Sequence, residues 1–426
     1  MSRNLRAARA RYKCQRCEGC RADRFSVYKR GMTYHFLLVL AGLFSLLVGC
    51  HPETERPHSD AQTRVSSDAF RIMTYNTLHG LEVGKFWVYY VESDAARADR
   101  FMLRVSQLAQ AQPDVILLQE VNPLPDMAGH YVRALKERGL SYSQVHQVDA
   151  CGLRLAPGLA VVPGLNNGLV ILAKKPLTIR KLEGLKLSGS FGTCSDYAGV
   201  QFGELRYALL AEVTFPLTGL SYLVATMHLH SGIERDAVLL HNLMVAHNQG
   251  LLQHYDHLMS KLQQDQHRRE MELHALVQSI RRHKLHEQYA GVIFGGDLNF
   301  EAGSPEYQEI ERAGFTDTAQ LAVGMPMWST YDPETNELAG HEEESIPPEF
   351  LDAVAEETKS DRNEAVKVYR RAIKRARRID FLFSMAFMSH ACLTQELVGK
   401  PAGIGGRLGS DHYGLLNTYT YSRHPC

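Results

Sequence analysis

Short apolar runs alternate with amphipathic stretches along the chain from residue 70 onward. Helical periodicity recurs at 94–111 and 128–138, and residues 233–286 form a long helical stretch with few breakers. Several apolar runs follow one another without an intervening helix, which indicates antiparallel as well as parallel strand pairs. Strands are predicted at 70–75, 115–118, 169–173, 205–214, 222–227, 292–294, 379–384 and 415–419. This pattern predicts an α/β fold, a four-layer sandwich of two packed mixed sheets flanked by helices.

Two stretches interrupt this alternation and are typical of insertions. The first is the helical segment 233–286, whose role the sequence does not reveal. The second, at 340–378, opens acidic and ends in a run of lysines and arginines at helical spacing (367–378). Such a run is typical of a solvated helix face. The alternative is a patch that binds an anion or a membrane surface, because the run leads directly into Asp380.

The composition narrows the classes of function. Of the 426 residues, 45% are hydrophobic, which is enough for a large core. Lys and Arg together number 47, as do Asp and Glu, so the formal net charge at pH 7 is zero. The net charge therefore gives no support to nucleic acid as the partner.

An apolar run near the N-terminus has the features of a targeting segment. Residues 36–48 are uncharged and follow Lys29 and Arg30. The run is too short to span a bilayer stably and matches the core of a signal peptide. It ends in Leu-Val-Gly-Cys, which resembles a bacterial lipobox whose cysteine, here Cys50, is lipidated. We therefore expect a lipid-anchored protein of the bacterial cell envelope; an ordinary secretory signal or a buried helix is the alternative.

These features divide the chain into four parts. Residues 1–31 are a basic leader that precedes the expected start near Met32, and their three cysteines lack a fourth ligand for zinc. Residues 32–49 are the predicted signal peptide and 50–69 a tether. Residues 70–422 are predicted to form the one folded domain.

Four cysteines remain in the expected mature chain besides Cys50. An exported chain meets an oxidising compartment, where disulfides form. The sequence does not resolve how Cys151, Cys194, Cys392 and Cys426 pair. A bond between Cys151 and Cys194 is favoured, because both lie in glycine-rich sequence around one predicted hairpin.

Polar residues follow two of the apolar runs, at the strand ends where ligand sites of α/β sheets form. Glu120 comes directly after one run, and a carboxylate there suits a Mg²⁺ ligand, although alone it is more typical of a surface loop. Asp297 and Asn299 follow a strand that ends in Gly295 and Gly296, and we expect these glycines to allow a tight turn. The acid and the amide suit a site that orients a water and holds a phosphoryl oxygen.

Further acids and histidines occupy similar positions. Asp411 and His412 precede the last apolar run and offer a metal ligand beside a general base, or a simple polar turn. Asp380 lies within an apolar strand, where an unpaired carboxylate is costly, so we expect His412 as its partner, with Arg378 as the alternative. His228 ends a strand and is suited to donate to a phosphoryl oxygen, or it is a hydrogen-bonded core histidine.

Taken in order, these motifs resemble those of the endonuclease/exonuclease/phosphatase superfamily, whose fold is that of pancreatic deoxyribonuclease. The resemblance covers residues 70–422, with Asn76 ending the first strand. It rests on the QE, NG, GDLN, RID and SDH motifs and on Arg206 in the stretch RYALLAEV. It implies metal-dependent hydrolysis of phosphodiester bonds by in-line attack of an activated water. It also implies one principal Mg²⁺ site, with Mn²⁺ as the alternative ion, because Leu78 stands where some nucleases carry another carboxylate.

The resemblance assigns a role to each site residue. His412 acts as base or transition-state donor, and Asp380 orients it. Asp297 positions the attacking water, while Asn299 and His228 contact the phosphate. The implied metal ligands are Glu120, Asn76 and Asp411.

The substrate class depends on weaker signals. The stretch STYDPETNELAG at 329–340 resembles a segment of bacterial and neutral sphingomyelinases, and a lipid anchor would put the site near phospholipid. A phospholipid or another small phosphodiester is therefore the favoured substrate. Nucleic acid, which favours a basic surface, and a phosphomonoester are the alternatives. A non-catalytic binding lipoprotein is a further alternative, which the intact Glu120, Asp297 and His412 disfavour. The sequence leaves the oligomeric state open.

Overall fold

The computed structural model describes residues 69–421 with gaps, of which 190–204, 232–239 and 340–375 are among the longest. The strands are β1 (Ala69–Asn76), β2 (Leu81–Val83), β3 (Val88–Val91), β4 (Val115–Gln119), β5 (Tyr142–Cys151), β6 (Arg154–Ala156), β7 (Leu159–Ala160), β8 (Asn166–Lys174), β9 (Thr178–Ser188), β10 (Arg206–Phe215), β11 (Leu220–His228), β12 (Gly291–Asp297), β13 (Thr316–Asp317), β14 (Asp380–Met385), β15 (Ala391–Val398) and β16 (Gly414–Tyr421). The helices are α1 (Asp94–Ala111), α2 (Asp126–Lys136), α3 (Tyr255–His286), α4 (Pro305–Arg312) and α5 (Thr318–Leu321).

Two six-stranded sheets pack against each other. The first has the order β15-β16-β1-β4-β8-β5 and the second the order β13-β14-β12-β11-β10-β9. Strand β10 contacts a different layer on each face, because successive side chains of a strand point to opposite faces of the sheet. Leu209 and Ala211 lie in the core between the sheets, whereas Ala208 and Leu210 pack with α3. The core of the first sheet also includes residues of α1 and α2. The predicted four-layer sandwich is confirmed.

Each strand predicted from an apolar run is present, but the pattern does not predict the short strands β2, β3, β6, β7 and β13, nor the three longer strands β5, β9 and β15. These three longer strands are edge strands of the two sheets. An edge strand has one neighbour and carries many polar side chains, so its sequence lacks the continuous apolar run of a central strand. The predicted helical stretch 233–286 contains the long helix α3 from Tyr255 onward, and described residues between 240 and 248 are also helical, whereas residues 232–239 lie outside the described part.

The strand register brings the polar strand ends together. β1 is parallel to β4, with Asn76 opposite Gln119, and β11 is parallel to β12, with His228 opposite Asp297. β14 is antiparallel to β12, so its first residue, Asp380, also lies opposite Asp297. The carboxyl ends of four strands and the start of β14 therefore meet at one end of the sandwich.

Gly295 and Gly296 do not form the expected turn, because β12 continues through both to Asp297. They allow close contact between strands instead. A Cβ at Gly295 would lie 2.1 Å from the carbonyl oxygen of Phe381, and one at Gly296 would lie 1.9 Å from that of Met227. Gly296 also has a φ of 148°, which side-chain-bearing residues rarely adopt.

Several predicted features are only partly covered by the structure. The leader, the signal peptide, the tether and Cys50 lie outside the described residues, as does Cys194 of the favoured disulfide. Cys392 is disulfide-bonded. Within the described part, no helix is long and apolar enough to cross a bilayer.

The basic run at 367–378 is described only at its end. There Arg378 forms an ion pair with Asp317 at 2.6 Å, and Arg377 lies over the ring of Tyr331. Both arginines are nearly buried. For these two residues the predicted solvated helix face and its alternative, an anion- or membrane-binding patch, are therefore both wrong, because each arginine packs inside the fold.

Helix α3 is joined to α4 by a buried ion pair. Arg269 Nε lies 3.0 Å from Glu306 Oε1, and the two side chains are 0% and 2% exposed. Removing one partner would leave the other charge buried without compensation.

We expect Arg269→Ala to lower the free energy of unfolding by about 3–5 kcal/mol, because Glu306 would keep a buried charge. Urea unfolding followed by circular dichroism measures the change. Arg282→Ala, at an exposed position of the same helix, is the matched control and should change stability by less than about 0.5 kcal/mol. Equal stabilities of the two variants would contradict the importance of the ion pair.

Candidate active site

Glu120, Asn76 and Asp297 meet where the two sheets end. The amide nitrogen Nδ2 of Asn76 donates to Glu120 Oε1 and to Asp297 Oδ2, each at 3.0 Å. Glu120 follows β4 of the first sheet and Asp297 ends β12 of the second, so this amide links the sheets. Its oxygen Oδ1 accepts from the backbone N–H of Leu78 at 3.0 Å. In this arrangement Asn76 is a donor to the carboxylates, and its role as a metal ligand stays a prediction.

Two residues of the site adopt left-handed backbone conformations just after their strands. Glu120 has a φ of 57° and Asn299 a φ of 51°. Such conformations cost about 1–3 kcal/mol and persist where surrounding contacts impose them. For Asn299 the contacts are its N–H to Asp297 Oδ1 at 3.2 Å and its Nδ2 to the carbonyl of Leu229 at 3.1 Å. Asn299 therefore fixes the backbone beside Asp297 and the loop after β11.

His412 and Asp380 form the expected contact. Nδ1 of His412 lies 2.7 Å from Asp380 Oδ2, and both side chains are buried. The alternative partner of Asp380, Arg378, pairs with Asp317 instead. With Nδ1 held by Asp380, Nε2 of His412 faces the site and lies 3.6 Å from Asp297 Oδ2.

His228 lies between the two central carboxylates. Its Nε2 is 3.5 Å from Asp297 Oδ2, and its Nδ1 is 3.7 Å from Glu120 Oε1. The His228 ring can therefore contact an ion or phosphate that is bound between Glu120 and Asp297.

The pKa values of His412 and Asp297 are both raised in the site. Burial alone would lower the pKa of His412, but the carboxylates Asp380, Asp297 and Asp411 hold it well above its ordinary value. Burial raises the pKa of Asp297 well above its ordinary value against the opposing effect of His412, and the negative charges of Asp380 and Glu120 add to the increase. These directions favour a protonated imidazole beside a carboxyl group with increased proton affinity.

Glu120 shows the opposite behaviour. Burial opposes ionisation, but His79 and His228 hold the pKa of Glu120 well below its usual range. Hydrogen bonds from Asn76 Nδ2 and from the backbone N–H of His79 act in the same direction. Glu120 is therefore an ionised carboxylate, the form that binds a metal ion.

The donor set fits a divalent metal ion. Ligand atoms of Glu120, His228 and Asp297 all lie within 4.8 Å of one another, and carboxylate oxygens are the ligands that hard divalent ions prefer. Asp411, the other expected ligand, is buried, and its Oδ1 accepts from Ser410 Oγ at 2.9 Å. It belongs to neither close ligand group found among the described residues, and its ligand role stays a prediction.

Two buried arginines of α1, which the sequence patterns did not single out, hold the loops of the site. Nη1 of Arg104 donates to the carbonyls of Thr77 at 2.9 Å and Gly409 at 2.6 Å. Nη1 of Arg100 donates to the same two carbonyls, and its Nη2 to that of Leu78, all at 3.2–3.3 Å. The sequence signal that could have identified them is the position of two arginines, four residues apart, on the buried face of a helix. They connect the loop after Asn76 to the loop that carries His412.

Helix α3, whose role the sequence left open, holds the backbone after His228. Three of its side chains contact the single residue His230. Glu272 Oε2 accepts from the His230 N–H at 2.9 Å, Arg269 Nη1 donates to its carbonyl at 3.5 Å, and Asp265 lies 3.0 Å from its Nε2. The spacing of these three residues places them on one face of the helix.

The segment 329–339 supports the site from behind. Nδ2 of Asn336 donates to the carbonyls of Ser410 and Asp411 at 3.0 and 2.9 Å. Thr330 Oγ1 accepts from the backbone N–H of Asp380 at 3.1 Å. Asn336 and Thr330 are fully buried. The segment 329–339 therefore contributes contacts inside the protein to the loops of His412 and Asp380.

Solved structures with a similar chain course include a D. rerio TDP2 humanized by 14 mutations, with 20% identity, a TM-score of 0.46 and coverage of 83% of this chain and 99% of that one. An endonuclease/exonuclease/phosphatase from Bacteroides vulgatus has 15% identity, a TM-score of 0.48 and coverage of 83% and 99%. A mannosyl-6-phosphatase from Bacteroides thetaiotaomicron has 13% identity, a TM-score of 0.45 and coverage of 83% and 100%. With TM-scores below 0.5, these likenesses support no inference about the substrate.

No curated protein matches the chain significantly in sequence. The sequence model of the endonuclease/exonuclease/phosphatase family matches residues 73–412, a span that includes every residue of the site described above. Because this match covers most of the 426 residues, the chain belongs to the endonuclease/exonuclease/phosphatase family of phosphoester hydrolases.

Proposed function

We propose that the protein hydrolyses phosphodiester bonds with the help of one principal divalent metal ion, Mg²⁺ or Mn²⁺. The observation that carries the proposal is the meeting of Glu120, Asp297 and His228 with the His412–Asp380 pair at one end of the sandwich. This set combines ligands for a cation with groups that move a proton and bind an anion.

Glu120 would be the principal ligand of the ion, with Asn76 and Asp411 as further ligands. When bound, the ion supplies stabilisation of the negative charge that develops on the phosphoryl oxygens. Four carboxylates lie in or beside the site, all with low exposure, and their mutual repulsion favours a bound cation.

Asp297 is the proposed acceptor of the proton from the attacking water, because burial and neighbouring acids raise its pKa and so its proton affinity. His412 is the proposed donor to the phosphoryl group through Nε2–H, since its raised pKa keeps it protonated. Asp380 fixes the Nδ1–H side of the ring at 2.7 Å. Of the two roles that the family resemblance offers His412, these directions favour the donor over the base.

His228 and Asn299 are the proposed phosphate contacts. His228 lies within 3.7 Å of both central carboxylates, so a phosphate bound there would meet its ring. One donor of the Asn299 amide is used by Leu229, which orients the side chain beside Asp297. Together these residues would position the phosphorus for in-line attack without a covalent intermediate.

For the substrate we propose a phospholipid or another small phosphodiester. The lipobox-like sequence at Cys50 and the absence of net positive charge support this choice. The stretch at 329–340 supports it only indirectly, since the residues that carry the described contacts are buried. Nucleic acid and phosphomonoesters are the competing classes.

A substrate panel tests this proposal. Sphingomyelin, phosphatidylcholine, plasmid DNA, an aryl phosphodiester and an aryl phosphomonoester are incubated with the purified protein and Mg²⁺ or Mn²⁺. We expect cleavage of the diesters, with lipid preferred, loss of activity in EDTA and recovery when metal is restored. Turnover that persists in EDTA would rule out the metal-dependent mechanism, and DNA nicking without lipid cleavage would replace the proposed substrate.

Substitutions in the site test the proton-transfer roles. We expect Asp297→Ala and His412→Ala each to reduce kcat on the aryl phosphodiester by about 10²–10⁴-fold, because each removes a group that acts on the transition state. His412→Gln keeps a polar group in the buried position and guards against misfolding, which circular dichroism monitors. His390→Ala, at an exposed turn, should retain full activity. A double variant combines Asp297→Ala with His412→Ala. Substantial activity in this variant, if it is folded, would contradict the mechanism.

The proposed location in the cell envelope rests on the lipobox-like sequence. We expect Cys50→Ser to move the protein from the membrane to the soluble fraction of its host, because the substitution removes the thiol that would carry the lipid. Immunoblots of the two fractions measure this shift. Unchanged retention on the membrane would refute lipidation at Cys50.

A further inference from the structure

We propose that His79 binds, through Nε2, the divalent ion held by Glu120, and that its imidazole makes the site prefer Mn²⁺ to Mg²⁺. This inference rests on the proposed function, in which Glu120 binds the ion. The sequence patterns place His79 in a loop and assign it no function.

The position of the ring carries the inference. Nε2 of His79 lies 3.7 Å from Glu120 Oε2, and the backbone N–H of His79 donates to the same oxygen at 2.9 Å. Two metal–ligand bonds of about 2.1 Å each span at most about 4.2 Å, so one ion can contact both atoms. The His79 side chain is 28% exposed, against 7% for His228, which puts its ring on the solvent side of Glu120.

The loop that carries His79 is held in place independently of the ring. Leu78 has a left-handed φ of 50°, and its N–H donates to Asn76 Oδ1. Its carbonyl accepts from Arg100 at 3.2 Å, and the carbonyl of Thr77 accepts from Arg104 at 2.9 Å. The ring is therefore presented to Glu120 by a fixed backbone, as in a preorganised binding site.

The chemistry of the donors sets the metal preference. One oxygen of Glu120 faces His79 Nε2 and the other faces His228 Nδ1, each at 3.7 Å. Imidazole nitrogen binds first-row transition ions, of which Mn²⁺ is the weakest binder, more tightly than it binds Mg²⁺, whose preferred ligands are carboxylate, carbonyl and water oxygens. A surface ion pair between protonated His79 and Glu120 would have no such preference, since it involves no metal bond.

Metal titration separates these two possibilities. Mn²⁺ and Mg²⁺ are titrated by calorimetry into the full chain, into His79→Gln and into His274→Gln, a substitution at an exposed position of α3. We expect the wild-type protein to bind Mn²⁺ more tightly than Mg²⁺. In His79→Gln the Kd for Mn²⁺ should rise by about 10–100-fold, whereas the Kd for Mg²⁺ should change by less than about threefold. His274→Gln should bind both ions as the wild type does.

Pulsed electron paramagnetic resonance of bound Mn²⁺ gives a readout that does not depend on activity. We expect ¹⁴N coupling in the wild-type protein and a weaker nitrogen signal in His79→Gln. Unchanged nitrogen coupling together with an unchanged Kd for Mn²⁺ would overturn the role of His79 and leave the proposed function standing. Failure of the wild-type protein to bind either ion would overturn both.

Discussion

Buried negative charge at the junction of the two sheets is the constraint on which the rest of the site depends. Glu120 from the first sheet and Asp297 from the second accept hydrogen bonds from the same amide, that of Asn76, so one side chain joins the sheets and their acids. Carboxylates this close repel one another in a medium of low polarity. His412 offsets part of the charge, and a metal ion would offset more. The site therefore binds positive charge favourably, because the strands end in carboxylates that lie close together.

The outer helices do more than cover the sheets. On one side Arg100 and Arg104 of α1 bind carbonyls of two site loops, and on the other Glu272 of α3 binds the backbone next to His228. Buried loop carbonyls and N–H groups need partners, and charged side chains of rigid helices supply them. The loops of the site are thus fixed from both outer layers, which suits a catalyst that depends on position.

Family membership supports phosphoester hydrolysis, and the acids at the strand ends have the chemistry that such a site requires. In the stretch 329–339, Asn336 and Thr330 hold the loops of Asp411 and Asp380 from inside the protein.

The sequence by itself determined the central strands, the sandwich class, the family and the identity of the acids and histidines at the strand ends. These follow from local patterns, since a central strand is continuously apolar and polar residues after it stand out. It did not predict the edge strands β5, β9 and β15, which have no such pattern because only one neighbour pairs with them.

The tertiary structure decided most partners of the site residues. It confirmed the expected pair of Asp380 with His412, but only the fold paired Arg378 with Asp317 and put His79 beside Glu120 across 41 positions of sequence. It also gave Gly295 and Gly296 a role in strand packing in place of the expected turn. Such contacts depend on strand order and register, which join residues far apart in the chain and leave no trace in a local pattern.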